Sequence, residues 1–264
     1  MYEIIDTHAH IYPTKIAEKA TTNIGKFYDI EMNIAAGTVD RLIVELKQAG
    51  ISRAAVSSVA TTRHQVSSIN GYILEVAEAY PNLLGYMTLH PDMDENEIKN
   101  EIDYCIAKGI KAIKLHPDFQ KFYIDSDEAR KIYRQASGRL PILFHTGDNR
   151  YDYSQPDRLA RIAKEFPELT AIGAHFGGYG VWYGIDCYKG IKNIYFDTSS
   201  SLMFLPPEKA KEFINYYGAE WFFFGTDFPM WTPAEEVQRF LALDLTEEQR
   251  KMILSENYKR LFNI

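Results

Sequence analysis

Cysteine is scarce in this sequence: Cys105 and Cys187 are the two in 264 residues, and their spacing is not that of a thiolate metal site. Long hydrophobic runs are also missing. The longest, such as Trp221–Phe224, fall far short of the ~20 apolar residues that a membrane-spanning helix needs, so no membrane partner is expected. Met1–Asp6 leads directly into a predicted strand and shows no signal-peptide pattern, so we expect a cytoplasmic protein with reduced cysteines.

Basic residues are fewer than acidic residues in this sequence. The chain has 29 Lys and Arg against 36 Asp and Glu, a formal net charge of −7. Because nucleic-acid-binding proteins usually carry a basic surface, a nucleic-acid partner is not expected. Hydrophobic residues at 46% and charged residues at 25% are typical of a globular protein and exclude disorder, collagen and coiled coil. A small-molecule substrate is the expected partner, and a homo-oligomer is left open.

Short runs of apolar, β-branched or aromatic residues recur along the chain and end at polar or glycine residues, which predicts β-strands. Most runs are apolar at consecutive positions, as in parallel strands that are covered on both faces. The eight predicted strands are Ile4–Thr7, Arg53–Val59, Leu83–Leu89, Ile110–Leu115, Pro141–Phe144, Thr170–Ala174, Asn193–Asp197 and Trp221–Gly225.

Helical patterns separate most of these strands, and the long connection Ile11–Gly37 is predicted to be a loop that covers a site. Alternating strands and helices in a chain near the ~250 residues typical of the fold predict one (β/α)8 TIM-barrel domain over residues 1–264. No Gly-x-Gly-x-x-Gly follows the first strand, which disfavours a dinucleotide-binding sheet. The predicted helices are Thr38–Gly50, Ile69–Tyr80, Asp94–Ala107, Asp127–Ala136, Pro156–Phe166, Pro207–Tyr217, Pro233–Leu243 and Thr246–Phe262.

Potential metal ligands stand at the predicted carboxyl ends of the strands. His8 and His10 close the first strand, His145 the fifth and His175 the sixth, and Asp227 follows the eighth. The carboxyl ends of the strands in a (β/α)8 barrel converge on one face, where active sites are built. The two-residue spacing of His8 and His10 places both imidazoles on one side of a strand.

Each of these residues also has an ordinary structural interpretation, as a buried histidine bonded to the backbone or an aspartate that caps a turn. Their joint position at strand ends favours a divalent-metal site instead. Imidazole nitrogens with one carboxylate suit Zn²⁺, Mn²⁺ or Fe²⁺, of which Zn²⁺ is the first expectation.

The chain resembles the amidohydrolase superfamily, in particular its branch of small proteins that includes aminocarboxymuconate-semialdehyde decarboxylase. The resemblance extends over almost the whole chain, and it is carried by an ordered set of segments rather than by any single one. These segments are Ile5–His10, Ile113–Pro117, Phe144–Gly147, Gly173–Gly178, Gly225–Pro229 and Ile253–Phe262.

The resemblance implies one metal ion held by four side chains, with water in an open position; the ligands would be His8, His10, His145 and Asp227. His175 would polarise the water or substrate, or transfer a proton, and Asp227 would also accept a proton from the metal-bound water. This agrees with general chemistry, because a catalytic metal lowers the pKa of its water towards ~7 and a nearby histidine can act as a base.

Lys114 leaves two alternatives open. In binuclear relatives a lysine at the end of strand 4 is carboxylated and bridges two metals, and His175 would then bind the second ion. Otherwise Lys114 is an ordinary lysine that binds an anionic substrate or a nearby acid. His116 is a substrate contact, a further ligand or a residue that bonds within its loop.

Other residues that follow the predicted strands are candidates for a substrate pocket, since aromatic side chains often line pockets for small cyclic molecules. An arginine there could bind a substrate carboxylate through two hydrogen bonds, although a surface position is the ordinary interpretation. The pocket candidates are His90, Arg150, Tyr151, Trp182 and Trp231.

The predicted reaction is hydrolysis, with metal-activated water attacking the carbonyl of a small ester, lactone or amide. A chain near minimal barrel size and the lack of an arginine cluster for a dicarboxylate favour it. The alternative is a metal-dependent non-oxidative decarboxylase. A third interpretation is a barrel that binds a ligand without turnover, which the presence of all the metal-site positions disfavours.

Overall fold

The strands of the computed structural model, which describes residues 2–32 and 34–264, are short and buried. Within that part of the chain they form an eight-stranded sheet in the order β1 to β8. This order and the alternation with helices confirm the predicted (β/α)8 fold class. The strands are β1 (Ile5–His10), β2 (Arg53–Ser57), β3 (Leu83–Thr88), β4 (Ala112–Leu115), β5 (Ile142–Phe144), β6 (Ala171–Gly173), β7 (Ile194–Asp197) and β8 (Phe222–Phe223).

Most helices agree with the predicted segments, although Thr14–Tyr28 and Pro117–Gln120 were not predicted, and several helix ends follow local capping rules. The Thr38 hydroxyl accepts from the N–H of Arg41, and Gly50 ends the same helix in the left-handed region. The helices are α1 (Thr14–Tyr28), α2 (Val39–Ala49), α3 (Val66–Ala79), α4 (Glu95–Ala107), α5 (Pro117–Gln120), α6 (Asp127–Ala136), α7 (Pro156–Glu165), α8 (Pro207–Tyr217), α9 (Pro233–Leu241), α10 (Glu247–Lys251) and α11 (Asn257–Phe262). A π-helical turn, Met252–Glu256, joins α10 to α11, and 3-10 turns connect β6 to β7.

The prediction that Ile11–Gly37 is a loop is wrong for most of its length, because α1 occupies Thr14–Tyr28. The buried face of α1 consists of Ala17, Thr21 and Gly25, four residues apart, so its apolar pattern is weak in the sequence. Asn33 of the same connection lies outside the described residues.

The contacts divide the chain into two compact units, and the first comprises residues 1–57, 80–84 and 198–264. In this first unit β1 pairs with β2 in parallel, with His10 opposite Ser57. The N–H of Thr7 in β1 also donates to the Phe224 carbonyl, which follows β8, at 2.9 Å. Phe222, Phe223 and Phe224, in and directly after β8, are buried. Close packing of these side chains supports the main chain at the ends of β1 and β8.

The second unit comprises residues 58–79 and 85–197. Strands β3 to β7 are paired in parallel in it, and Lys114 of β4 stands opposite Thr88 of β3 and Leu143 of β5. Its core combines aliphatic and aromatic side chains, and Ile113, Ile142 and Phe144 are fully buried in it. That the whole chain is one domain stays a prediction.

None of the described helices is long and apolar enough to cross a membrane.

Both cysteines are thiols, and burial raises the pKa of Cys105 to about 12 and that of Cys187 to about 11. Neither thiol is therefore disposed to form a reactive thiolate at neutral pH.

Candidate metal centre

At the end of β1, two histidine rings meet one carboxylate in the first unit. His8 and His10 are buried, and their Nε2 atoms are 3.1 Å apart. Asp227 Oδ1 lies 3.4 Å from each of these nitrogens. The structure thus brings together three of the four predicted ligands, here named the convergent group (His8, His10, Asp227).

The separations in the convergent group fit a shared divalent ion. Two donor atoms that bind one ion at about 2.1 Å lie about 3.0 Å apart at an octahedral angle and about 3.4 Å apart at a tetrahedral angle. The observed separations of 3.1 and 3.4 Å match this range. Two imidazole nitrogens and one carboxylate oxygen are a donor set that Zn²⁺, Mn²⁺ and Fe²⁺ accept.

Serine hydroxyls contact the far nitrogen of each imidazole. Ser199 Oγ is 2.9 Å from His8 Nδ1, and Ser57 Oγ is 3.2 Å from His10 Nδ1. Because the Nδ1 atoms are bonded in this way, the rings are held with Nε2 directed towards the centre of the group.

Asp227 is constrained through both its backbone and its carboxylate. Its φ of 59° lies in the left-handed region, which is rare for a residue with a side chain. Ser200 Oγ donates to Asp227 Oδ2, and the indole N–H of Trp231 donates to Ser200 Oγ at 2.9 Å. Trp231, predicted as a pocket residue, is buried and supports Asp227 through Ser200.

Asp6 links the main chain on both sides of the ligands. Its Oδ1 accepts from the N–H groups of His8 and Thr226, each at 3.0 Å, and its Oδ2 accepts from Thr226 Oγ1 at 2.6 Å. These bonds hold the end of β1 beside the segment that carries Asp227, so Asp6 supports the convergent group through the backbone.

In the second unit, the two histidines predicted at the ends of β5 and β6 contact one another. His145 Nδ1 and His175 Nε2 are 3.0 Å apart. His145 Nε2 is 3.1 Å from the Gly147 carbonyl, which can only accept, so Nε2 carries the proton of the neutral ring and Nδ1 keeps its lone pair. The Nδ1 lone pair accepts from His175 Nε2–H here, and a metal bound at Nδ1 would replace that bond.

The backbone of His175 is also held in an uncommon conformation. Its φ is 61°, its N–H donates to Asp197 Oδ1 at 2.9 Å, and its carbonyl accepts from the Trp182 indole at 2.9 Å. Left-handed residues with side chains concentrate at functional sites, where surrounding bonds maintain them. Trp182, a predicted pocket residue, is half-buried and stabilises the main chain of His175.

The second unit also contains a buried group of two histidines and one aspartate, here named the stacked group (His116, Asp118, His145). The His116 and His145 rings are 3.9 Å apart between centroids and 6° from parallel, and Phe119 covers the other face of His116 at 3.8 Å. Asp118 Oδ2 lies 3.6 Å from His145 Nε2 and accepts from Ser154 Oγ at 2.6 Å.

The geometry of the stacked group does not suit a shared ion. An imidazole lone pair lies in the ring plane, and two stacked parallel rings have no nearby point that lies in both planes. Burial raises the pKa of Asp118 to about 6, although the Ser154 hydroxyl opposes this shift, and Oδ1 has no hydrogen-bond partner in the described residues. The arrangement instead fixes the orientation of the His145 ring.

Lys114 and His90 lie at the ends of neighbouring strands of the second unit, and both are buried. His90 Nδ1 accepts from the N–H of Asp92 at 3.2 Å, so its Nε2 carries the proton, and Nε2 has no hydrogen-bond partner within the described chain. Burial lowers the pKa of His90, against the smaller effects of the Asp92 carboxylate and the nearby Thr61 carbonyl. His90 is therefore a neutral hydrogen-bond donor. Both roles of Lys114, as a carboxylated bridge between two metals or as an ordinary lysine, stay predictions.

Arg150 is already paired with a buried carboxylate. Its Nε and Nη2 lie 3.0 and 2.6 Å from the two oxygens of Asp148. Binding a substrate carboxylate with the same edge of the guanidinium would leave the buried Asp148 without its charged partner, which is costly. Tyr151 is 41% exposed and lies beside the Arg150 guanidinium.

Sequence reasoning did not single out the supporting serines or Tyr12. Ser199 and Ser200 belong to a hydroxyl-rich segment that resembles an exposed loop, yet both are buried. Tyr12 follows His10 by two residues, a spacing that could have revealed it. Burial and the charge of Asp227 raise the pKa of Tyr12, so its phenol stays protonated and can donate a hydrogen bond.

Comparison with known proteins gives one family and a consistent set of folds. The amidohydrolase family model matches residues 5–264. A comparison with curated proteins finds no match. Among solved structures, 5-carboxyvanillate decarboxylase from Sphingomonas paucimobilis is similar with a TM-score of 0.79 and 14% identity, over 100% of both chains.

Two further similar structures are a decarboxylase and a probable hydrolase. A dihydroxybenzoic acid decarboxylase from Polaromonas sp. JS666, with bound manganese and the inhibitor 2-nitroresorcinol, has a TM-score of 0.75 and 16% identity over 100% of this chain and 97% of that one. A probable 2-pyrone-4,6-dicarboxylic acid hydrolase from Acinetobacter baumannii, with citric acid bound, has a TM-score of 0.71 and 18% identity over 99% and 100%. At such low identity, these similarities show the fold alone.

The family match covers nearly all of the chain and includes the residues of the convergent group. The resemblance that the sequence motifs indicate is thereby confirmed. This protein belongs to the amidohydrolase family.

Proposed function

We propose that this protein is a metal-dependent decarboxylase that acts on a small aromatic acid without oxidation. The observation that carries the proposal is the convergence of His8 Nε2, His10 Nε2 and Asp227 Oδ1 within 3.1–3.4 Å. The choice of reaction is supported by similar structures that act, by name, on 5-carboxyvanillate and 2,6-dihydroxybenzoate. These similarities favour decarboxylation over hydrolysis, the reaction predicted from the sequence.

The two sequence arguments for hydrolysis concern features that decarboxylation does not require. Chain length depends on insertions away from the reacting atoms, and an arginine cluster is not needed for a monocarboxylate such as 2,6-dihydroxybenzoate. Arg150 is paired with Asp148 in either case. Neither argument therefore outweighs the similarity to decarboxylases.

The convergent group would hold the metal in this proposal. A bound divalent ion would supply Lewis acidity towards the anionic oxygens of a substrate. Manganese in the Polaromonas decarboxylase supports Mn²⁺ beside Zn²⁺, and the donor set accepts both. The ligands carry one carboxylate charge, which leaves a divalent centre positive and suited to an anionic substrate.

The chain has to supply a proton, because decarboxylation breaks the bond to the carboxylate carbon, releases CO₂ and adds hydrogen to the ring carbon. His175 is the candidate donor. Its Nε2 lies 3.0 Å from His145 Nδ1, which is unprotonated in the tautomer described above, so His175 Nε2 carries the proton of this bond. The bonds to Asp197 and Trp182 hold the main chain from which the imidazole projects.

His145 as a fourth ligand stays a prediction. If it binds the ion, His145→Ala lowers metal affinity to about the same extent as His10→Ala. If it only positions His175, the variant retains wild-type metal affinity and loses turnover. Titration of the metal-free variants with Mn²⁺ separates the two roles.

The experiment that tests the function combines metal analysis with product analysis. Protein purified without chelator is analysed for metal, stripped, reloaded with Mn²⁺ or Zn²⁺, and incubated with hydroxylated benzoic acids. We expect CO₂ in equal amount to the substrate consumed, and no release from the stripped protein. Absence of metal uptake, or no CO₂ from any hydroxybenzoate with the reloaded protein, would remove the proposal.

Hydrolysis is retained as a second candidate because of the probable 2-pyrone-4,6-dicarboxylic acid hydrolase. It needs a base for an attacking water, a role open to Asp227. The same preparation tested with cyclic esters distinguishes the reactions, since a carboxylate product without CO₂ identifies hydrolysis.

A further inference from the structure

We infer that Ser57, Ser199 and Ser200 are positioning residues that set the metal affinity of the convergent group, an inference that rests on the proposed metal-dependent function. Each hydroxyl bonds a different ligand, and each uses the ligand atom that faces away from the centre. The three side chains are at most 2% exposed, so water does not compete for these bonds.

The direction of the protons follows from the other partners of the hydroxyls. Ser57 Oγ lies 3.4 Å from the Ala9 carbonyl, which only accepts, so the serine proton is directed there and its oxygen accepts from His10 Nδ1–H. A ring that is protonated at Nδ1 has its lone pair at Nε2. The serine therefore selects the tautomer that a metal requires.

The Asp227 carboxylate is held in a similar way by Ser200. Ser200 Oγ accepts from the Trp231 indole N–H, which has no other role than donor, so the Ser200 proton is directed to Asp227 Oδ2. This leaves Oδ1 facing the histidines at 3.4 Å. Trp231 thus acts on Asp227 through a chain of two hydrogen bonds.

The segment that carries Ser199 and Ser200 is buried, and its hydroxyl groups are hydrogen-bonded. Thr198–Ser201 is at most 1% exposed, although all four side chains carry hydroxyls. Burying a hydroxyl without a partner is unfavourable, and each has one here: Thr198 accepts from the N–H of Gly225, and Ser201 donates to the Ser199 carbonyl. Ser201 bonds no ligand, so it provides a matched control.

Hydroxyls differ from the carboxylates that often support metal-binding histidines, because they orient the ring without adding negative charge. Asp6 is the nearby carboxylate of β1, and it bonds the main chain and Thr226 instead. The positive charge of a bound ion is then reduced by Asp227 alone among these groups, which keeps the centre attractive to an anionic substrate.

The test uses the full chain, stripped of metal and titrated with Mn²⁺, with binding followed by electron paramagnetic resonance. Ser57→Ala, Ser199→Ala and Ser200→Ala should each weaken Mn²⁺ binding about 10–100-fold and alter the Mn²⁺ spectrum. Ser201→Ala should bind as the wild type does. Unfolding of the metal-free variants is measured in parallel, so that a loss of folding is not counted as a loss of affinity.

Two measurements keep the inference testable if a serine variant does not fold. Trp231→Phe keeps an aromatic side chain but removes the N–H that bonds Ser200, and should weaken binding less than Ser200→Ala. In Zn²⁺-loaded wild-type protein, nitrogen NMR should find His8 and His10 protonated at Nδ1. Wild-type affinity in all serine variants, or Nδ1 ligation, overturns the inference and leaves the proposed function standing. A wild type that binds neither ion removes both.

Discussion

The convergent group and the stacked group have the same composition, two histidines and one aspartate, and both are buried. In the convergent group, donor atoms approach to 3.1–3.4 Å around a common centre. In the stacked group, two rings lie face to face, 6° from parallel. The comparison teaches that residue type and burial are insufficient for a metal site, since the direction of the lone pairs decides.

The backbone explains this difference. His8 and His10 stand two residues apart on one strand, so both rings project from the same face of β1. His116 instead caps the short helix α5, where its Nδ1 accepts from the N–H of Phe119. A histidine used as a helix cap has its ring turned along the helix, which places it against Phe119 and His145.

The largest expected contrast is between a histidine of each group. His8→Ala removes a ligand, so Mn²⁺ affinity should fall by more than the about 10–100-fold expected for an outer partner, and turnover should be lost. His116→Ala should keep wild-type metal affinity and lose about 1–3 kcal/mol of stability, because a cap and a stacked ring contact disappear. Metal titration and thermal unfolding of both variants check this; equal metal loss would erase the distinction between the groups.

A large effect is also expected for Asp227→Asn. The amide carries no charge and cannot accept a proton, so metal binding should weaken and the metal-saturated variant should remain slow. Excess metal should not restore its rate. If the variant is less stable yet fully metallated and active, Asp227 belongs to the turn rather than to the metal centre.

His175→Asn should separate proton transfer from metal binding. His175 contacts His145 and lies outside the convergent group, so the variant should retain its metal while kcat falls about 10²–10⁴-fold. Metal content and kcat are measured on one preparation. Trp182→Phe, which keeps an aromatic side chain but loses the bond to the His175 carbonyl, serves as a milder comparison. A near wild-type kcat would make His175 a packing residue.

The smallest effect concerns a buried carboxylate outside both groups. Glu236 is 1% exposed and paired with Arg239, and burial raises its pKa to about 7 from 4.5. Because the folded pKa is the higher one, the folded state binds more protons, and stability is lost as pH rises from about 4.5 to about 7.

Glu236→Gln removes this titration. Relative to the wild type, the variant should gain stability between pH 5 and pH 8, by at most about 3 kcal/mol. Denaturant unfolding of the metal-free proteins at both pH values measures the change. Parallel pH dependence in the two proteins would show that burial does not penalise the Glu236 charge.

The fold class was accessible from the sequence because buried parallel strands are short apolar runs and their helices have clear caps. Helix α1 was missed since its buried face consists of Ala17, Thr21 and Gly25, which produce little apolar contrast. The ligands of the convergent group could be proposed from their place at strand ends. The serines could not, because a hydroxyl-rich segment has the same composition whether it lies in solvent or beneath a metal centre.

Local rules in the sequence therefore determined the strands, most helices, the family and the shared face of His8 and His10, since these depend on spacing along one element. The tertiary structure decided which nitrogens and oxygens converge, which rings stack, and that Trp231, Trp182 and Arg150 are bound to other protein groups. These outcomes depend on contacts between residues far apart in the chain. They are set by the direction of hydrogen bonds and ring planes, which a sequence pattern does not contain.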